Sequence, residues 1–173
     1  CFQHACASCG LECPLLNRHL ALREEQLDEL ARLVPFLSSS SDKRRGFAKS
    51  VVNASLHLAA PTPGVSELNE PNALQLLLTE FRVPAGCALP PWLAPLSAEF
   101  RRLAPRLVSH EKHSKVMAEL WATSPEKADR ISSALHFVLT PYETAAMDAA
   151  LIYARQFGLV LNDEEWDGCL WLG

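Results

Sequence analysis

Apolar side chains recur every three or four residues between Pro14 and Leu37. The apolar positions of this stretch are Leu16, Leu20, Leu27, Leu30, Leu33, Val34 and Leu37, with charged residues between them. Because an α-helix turns once in 3.6 residues, this spacing gathers the apolar side chains on one face and predicts an amphipathic helix. Pro35 lies inside the apolar stripe and is expected to end or kink the helix near Val34.

The same periodicity predicts two further helices before the middle of the chain. One begins at Ser41 or Asp42, either of which can cap it, and continues to residue 58, and another covers residues 73–81. The segment 83–95 contains four prolines and a glycine, too many for a regular helix, and is too apolar for a solvated linker. It is predicted to be a loop that packs on the core through Leu89, Trp92 and Leu93.

Helix signals are denser in the second half of the chain. Residues 96–103 and 108–121 have helical periodicity, with Pro105 expected to interrupt or restart the helix between them. Ser124, Pro125 and Glu126 form a capping hydroxyl, a first-turn proline and an acid, which predict another helix start. Residues 140–143, Thr-Pro-Tyr-Glu, have the spacing of a capping box. They are expected to begin a last long helix over 145–157.

Alternating apolar and polar positions of useful length are absent from the sequence, so no strand pair is predicted. The expected fold class is all-α, a compact bundle of roughly six to eight helices, some of them short, with a proline-rich packed loop. Residues 1–13 form a Cys/His-rich amino-terminal segment, and residues 14–173 are predicted to be a single helical domain.

Composition narrows the class of protein. With 173 residues, 49% hydrophobic and 21% charged, the chain is long enough for a sizeable core and unlike a disordered protein. The formal net charge of -4 gives no electrostatic indication of nucleic-acid binding. No apolar stretch approaches the roughly 20 residues that a membrane-spanning helix needs, and no span is predicted.

The amino-terminal segment is the most unusual chemical feature. Its residues His4, Cys6, Cys9 and Cys13 include a C-x-x-C pair, and thiolates and imidazoles in such spacing are typical zinc ligands. A second ligand pair some 12–20 residues away is the usual completion of a zinc module, and none follows here. Zinc binding by this set is therefore one hypothesis for the cluster.

Two other interpretations of the cysteines stay open. The six cysteines are an even number, and Asn53-Ala54-Ser55 is a glycosylation sequon, so Cys87 and Cys169 could join the terminal cluster in disulfides of a secreted helical ligand or effector. Alternatively the thiols stay free and pack as small apolar side chains. Reduced or metal-bound cysteines indicate an intracellular protein, whereas disulfides indicate a secreted one.

No nucleotide-binding, hydrolase or metalloprotease motif occurs in the sequence, and an enzyme is the less favoured hypothesis. His110, Glu111 and His113 are the other cluster of catalytic residue types, and an exposed polar helix face is the favoured interpretation of them. The favoured function is a non-enzymatic helical interaction or regulatory module with a protein partner. The expected contact residues are the apolar, tryptophan-bearing positions Trp92, Trp166, Leu170, Trp171 and Leu172.

Overall fold

The computed structural model describes residues 1–34, 41–56, 73–84 and 86–157, and these residues form helices and no strands. The helices in chain order are α1 (Phe2–Ser8), α2 (Pro14–Ala21), α3 (Arg23–Ala31), α4 (Ser41–Leu56), α5 (Ala73–Glu80), α6 (Leu93–Val108), a 3-10 turn (Glu111–His113), α7 (Ser114–Thr123), α8 (Pro125–Ala128) and α9 (Ile131–Gln156). The all-α fold class predicted from the sequence is confirmed. Among the described helices, none is long and apolar enough to cross a bilayer.

Helix α6 connects two hydrophobic cores. Its beginning contacts α4 and supplies Leu93 to the α3–α4 core, which α3 and α5 complete. Its end contacts α1 and α9 in the α6–α9 core, to which α7 and α8 also contribute. The buried members of the α3–α4 core are Leu27, Leu30, Val34, Phe47, Ala48, Val51, Val52 and Leu93. Those of the α6–α9 core are Ala5, Cys6, Cys13, Leu103, Ala104, Leu107, Val108, Leu120, Ala128, Ala134, Leu135 and Val138.

Several elements lie where the periodicity places them. Helix α4 buries Phe47 and Val51, as the apolar stripe of residues 41–58 requires, and α5 covers most of the predicted span 73–81. The proline-rich segment packs on the α3–α4 core through Leu89, Trp92 and Leu93. Its last residues already belong to α6, because Pro95 falls in the first turn, where a proline needs no intrahelical hydrogen bond.

The helix predicted over residues 14–34 is two helices. Leu22, with φ of -107° and ψ of 17°, ends α2 and begins α3. The two pieces pack on different neighbours, since α2 lies against α6 and α3 lies against α4. A straight helix would place Leu20 in the apolar stripe, whereas the break leaves Leu20 exposed and buries His19.

Helix α6 continues through Pro105, and the next helix begins later than expected. Leu103, Ala104, Leu107 and Val108 are buried on both sides of the proline, and their packing holds the helix across the missing hydrogen bond. The predicted helix 108–121 is wrong in its first turn. Helix α6 ends at Val108, the 3-10 turn follows, and α7 begins only at Ser114.

The capping box predicted at residues 140–143 is also wrong, because α9 passes straight through it. The Thr140 hydroxyl donates to the carbonyl of His136 at 2.9 Å, the bond of a threonine inside a helix, and Pro141 is accommodated in the helix interior. Ala134, Leu135 and Val138 before this point and Tyr142 after it all pack on the α6–α9 core. Burial of this continuous face outweighs the local signal for a new helix start.

Candidate functional site

The amino-terminal cysteines are brought together with residues from three distant helices. Cys6 and Cys13 are buried in the α6–α9 core, Cys9 is half-buried at the end of α1, and His4 is exposed. Among the residues that the structure describes, no three histidine, cysteine, aspartate or glutamate side chains form a group that could hold a metal ion. Zinc binding by His4, Cys6, Cys9 and Cys13 therefore stays a prediction.

Cys6 and Cys13 form a buried thiol pair. Both side chains lie in the same core, and the Cys13 thiol donates a hydrogen bond to Asn17 Oδ1 at 3.6 Å. Burial, with the nearby Cys13, raises the pKa of Cys6 from 9.0 to about 12. Burial also raises the pKa of Cys13. Both sulfurs therefore stay protonated near neutral pH, and protonated thiols are poor nucleophiles.

Cys9 has a different partner. Its Sγ lies 3.4 Å from Nε2 of His113, a residue 104 positions further along the chain. The break between α6 and α7 produces this contact, because the 3-10 turn carries His113 inward to 5% exposure. The prediction of an exposed polar face at His110 to His113 is therefore wrong for His113. A thiol and an imidazole at this distance can exchange a proton.

The imidazole of His113 is held from several sides. The Tyr142 ring meets it edge-on with centroids 5.9 Å apart, and the Tyr142 hydroxyl shares a 2.7 Å hydrogen bond with Ser8 Oγ. Burial lowers the pKa of His113 from its ordinary value of 6.5, and electrostatic repulsion from the nearby His110 and Lys112 lowers this pKa further. The ring is therefore neutral near pH 7, the state in which it can accept a proton.

A positively charged side chain, that of Lys112, lies beside the backbone next to Cys9. Lys112 reaches from the 3-10 turn to donate a hydrogen bond to the carbonyl of Ser8, and its side chain is exposed to solvent. The Lys112 ammonium, the His113 imidazole and the Cys9 thiol therefore lie along one edge of α1. A cation at such an edge attracts anionic small molecules.

Glu99 fixes the neighbouring helix. Its carboxylate is only 6% exposed and accepts hydrogen bonds from the N–H groups of Leu15 (3.2 Å) and Leu16 (2.8 Å) at the start of α2. These N–H groups have no partners inside the helix, and a carboxylate also matches the positive end of the helix dipole. Glu99 thus caps α2 from α6 and fixes the position of Cys13, which directly precedes that helix.

Trp92, an expected partner contact, is used within the molecule. Its Nε1–H donates to Glu29 at 2.7 Å, and its ring stacks on His19 with centroids 5.6 Å apart. His19 Nδ1 in turn lies 2.5 Å from the amide oxygen of Gln26. The other expected contacts, Trp166, Leu170, Trp171 and Leu172, lie outside the described residues, as does Cys169.

The end of α9 is the most exposed apolar surface among the described helices. Ile152, Tyr153 and Phe157 are 59%, 64% and 65% exposed, and the Tyr153 and Phe157 rings touch with centroids 4.8 Å apart. We call these three residues the α9 surface. In this half of the helix Ala154 alone is buried, whereas the first half buries three core residues.

One depression is also lined by charged groups. It has a volume of about 270 Å³ and lies between α3 and α4, beside Asp28, Ala31, Arg32, Arg44 and Arg45. Arg45 is already paired with the Glu24 carboxylate, to which its second guanidinium nitrogen donates at 2.8 Å.

The five cysteines within the described residues are all free thiols.

Sequence reasoning missed four residues of the thiol site: Ser8, Glu99, His113 as an inward-facing residue, and Tyr142. They lie up to 134 positions from their partners, and no local pattern marks them. The one local indication is Glu99, an acidic residue at a position within the apolar stripe of α6. A buried acid needs hydrogen-bond donors, but the sequence does not identify them.

The fold and the site define a helical bundle with a buried thiol pair and a thiol–imidazole contact. Comparison of the chain with models of protein families, with curated proteins and with solved structures finds no match.

Proposed function

We propose that the chain is a non-enzymatic helical interaction module, and that a protein partner binds it at the α9 surface. The single observation that supports this most is the exposure of Ile152, Tyr153 and Phe157 at the end of a helix whose first half is packed. Side chains of this size contribute about 1.5–3 kcal/mol each when they are removed from water. Three of them together therefore favour a docked state.

The geometry supports a partner with an apolar groove or a complementary helix. Tyr153 and Phe157 are one helical turn apart, so their rings present a continuous aromatic face. Aromatic residues of this kind dominate the binding energy of protein interfaces, with polar residues at the rim. The predicted contacts Trp166, Leu170, Trp171 and Leu172 follow α9 in the sequence, lie outside the described residues and stay predictions.

Site-specific photo-crosslinking in the native cell tests the proposal. A photoreactive phenylalanine analogue at position 153 is compared with the same analogue at position 144, on the opposite side of α9 and also exposed. We expect one discrete partner protein to be crosslinked from position 153 and not from position 144. Ile152→Glu in the position-153 protein should abolish this crosslink.

Two results would overturn the proposal. One is an identical set of crosslinked proteins from positions 144 and 153, which would indicate random encounters. The other is a crosslink from position 153 to the chain's own residues alone, which would mean that the α9 surface is covered within the molecule.

A further inference from the structure

The contact between Cys9 and His113 has no part in the proposed interaction surface, and it requires an explanation of its own. We propose that Cys9 is a redox modification site that forms a mixed disulfide with an anionic low-molecular-weight disulfide, with His113 as the acceptor of the thiol proton. Such disulfides are the oxidised forms of cellular thiols that carry carboxylates.

The reaction is a thiol–disulfide exchange. The Cys9 proton moves to His113 Nε2, and the Cys9 sulfur attacks one sulfur of the small disulfide. A sulfur–sulfur bond forms to Cys9 while the original one breaks, and the leaving thiolate takes the proton back from His113. Cys9 is oxidised, and the released half of the small molecule is reduced to its thiol.

Three observations select Cys9 over the other thiols of the cluster. It is half-buried, whereas Cys6 and Cys13 are enclosed in the core. Among the cysteines that the structure describes, it is the one that lies against an imidazole, at 3.4 Å, and this distinguishes it from the exposed Cys1. Since the buried Cys6 thiol stays protonated and is a poor nucleophile near neutral pH, it attacks the mixed disulfide slowly, and the modified Cys9 should accumulate.

The surroundings of the pair favour an anionic reagent. The groups that face His113 are the Cys9 thiol, the Tyr142 ring, the neighbouring His110 ring and the Lys112 side chain, and Lys112 is the fixed positive charge among them. The Lys112 ammonium donates to the Ser8 carbonyl, one residue from Cys9. Carboxylates of the reagent would therefore be attracted to the end of α1.

The test uses the full reduced chain and glutathione disulfide at neutral pH, with the modified cysteines located and timed by peptide mass spectrometry. Cys87 is an internal control, because it is more exposed than Cys9 and has no imidazole contact in the described structure. We expect Cys9 to react about tenfold faster than Cys87, because an unassisted thiol is only a few per cent thiolate at pH 7 and the imidazole raises that fraction. Equal rates, or a faster Cys87, would overturn the proposal.

Matched variants separate a chemical effect from an effect of exposure. His113→Gln should slow Cys9 about tenfold and leave Cys87 unchanged, while His136→Gln, at an exposed histidine, should alter neither rate. Lys112→Ala should slow the reaction of Cys9 with glutathione disulfide more than its reaction with the neutral hydroxyethyl disulfide. Circular dichroism verifies that the variants are folded, and the Lys112 variant keeps the test decisive if His113→Gln does not fold.

Two further outcomes count against the proposal. An unchanged Cys9 rate in folded His113→Gln would mean that the imidazole has no chemical role. A native mass that includes one zinc ion, together with protection of Cys9 until a chelator is added, would assign the cluster to metal binding instead. Neither outcome bears on the α9 surface, so this inference can fail while the proposed function stands.

Discussion

The two cores of the molecule are joined by α6 but built from different chemistry. The α3–α4 core is aliphatic around Phe47, and its polar contacts, such as Trp92 with Glu29, lie at its edge. The α6–α9 core includes the thiols of Cys6 and Cys13, and a thiol–imidazole contact between Cys9 and His113 lies beside it. The buried imidazole beside the α3–α4 core, His19, is bonded to an amide instead. The difference between the two cores is therefore the presence of thiols.

The cores also differ in how their polar contacts are made. The bonds of His19 with Gln26 and of Trp92 with Glu29 span 7 and 63 positions of the chain, whereas the contacts of Cys9 with His113 and of Ser8 with Tyr142 span 104 and 134. Contacts between residues so far apart in the sequence depend on the whole packing arrangement of α1, α6 and α9. Changes in the α3–α4 core should therefore affect stability alone, and changes beside the α6–α9 core should affect stability together with charge and reactivity.

The largest expected effect is on the α3–α4 core. Leu30→Ala should lower the free energy of unfolding by about 2–5 kcal/mol, because it removes a fully buried side chain and leaves a cavity. Leu20→Ala, at an exposed leucine, should stay within about 0.5 kcal/mol. Urea unfolding followed by circular dichroism measures both. Equal losses would mean that Leu30 is not enclosed as described.

The buried cap of α2 should give the next largest effect. Glu99→Gln replaces an acceptor-only carboxylate by an amide, which cannot bond as well to the N–H groups of both Leu15 and Leu16. We expect a loss of about 1–3 kcal/mol in urea unfolding and faster hydrogen exchange of these two amides. Glu119→Gln, at an exposed acid, is the matched control. Indistinguishable stabilities would contradict the cap.

The buried thiol of Cys6 should lower the free energy of unfolding as the pH rises above 9. Its pKa is raised from 9.0 to about 12 by folding, so above pH 9 the unfolded state loses the Cys6 proton while the folded state keeps it. The unfolding free energy should then decrease by up to about 1.4 kcal/mol per pH unit between these values. In Cys6→Ala this contribution disappears. Parallel profiles for the two proteins would refute the burial of the thiol.

Trp92 should give the smallest effect, at the edge of the α3–α4 core. Trp92→Phe keeps an aromatic ring but loses the hydrogen bond to Glu29, and it should cost about 0.5–1.5 kcal/mol. Trp121→Phe, in an exposed position of α7, should cost almost nothing. The melting temperatures of the two variants, measured side by side, show whether the Trp92 indole is packed within the molecule or is as exposed as that of Trp121.

The difference between local patterns and tertiary packing explains how much of the fold the sequence predicts. The apolar period of α4 identifies its buried face, since burial of Phe47 and Val51 depends on spacing within one helix. The capping-box pattern at Thr140 fails because it is a local signal, and the packed face of α9 extends to both sides of it. Local patterns thus predict helices well and their breaks poorly.

The candidate site is harder to predict than the fold, for a related reason. The sequence identifies Cys6, Cys9 and Cys13 by their composition and spacing alone. It does not reveal that a break after Val108 turns His113 inward, because no proline or glycine marks that point and the contacts of α6 and of α7 with α9 are not visible in a local pattern. The partner of Cys9 is therefore a product of tertiary structure.

The contact between Cys9 and His113 requires that α1 packs against the α6–α9 core. Nuclear Overhauser spectroscopy of the reduced, isotope-labelled chain measures this proximity directly. We expect cross-peaks between the imidazole protons of His113 and the β protons of Cys9. Fully assigned spectra in which His113 shows cross-peaks to its sequence neighbours but none to Cys9 would contradict this contact.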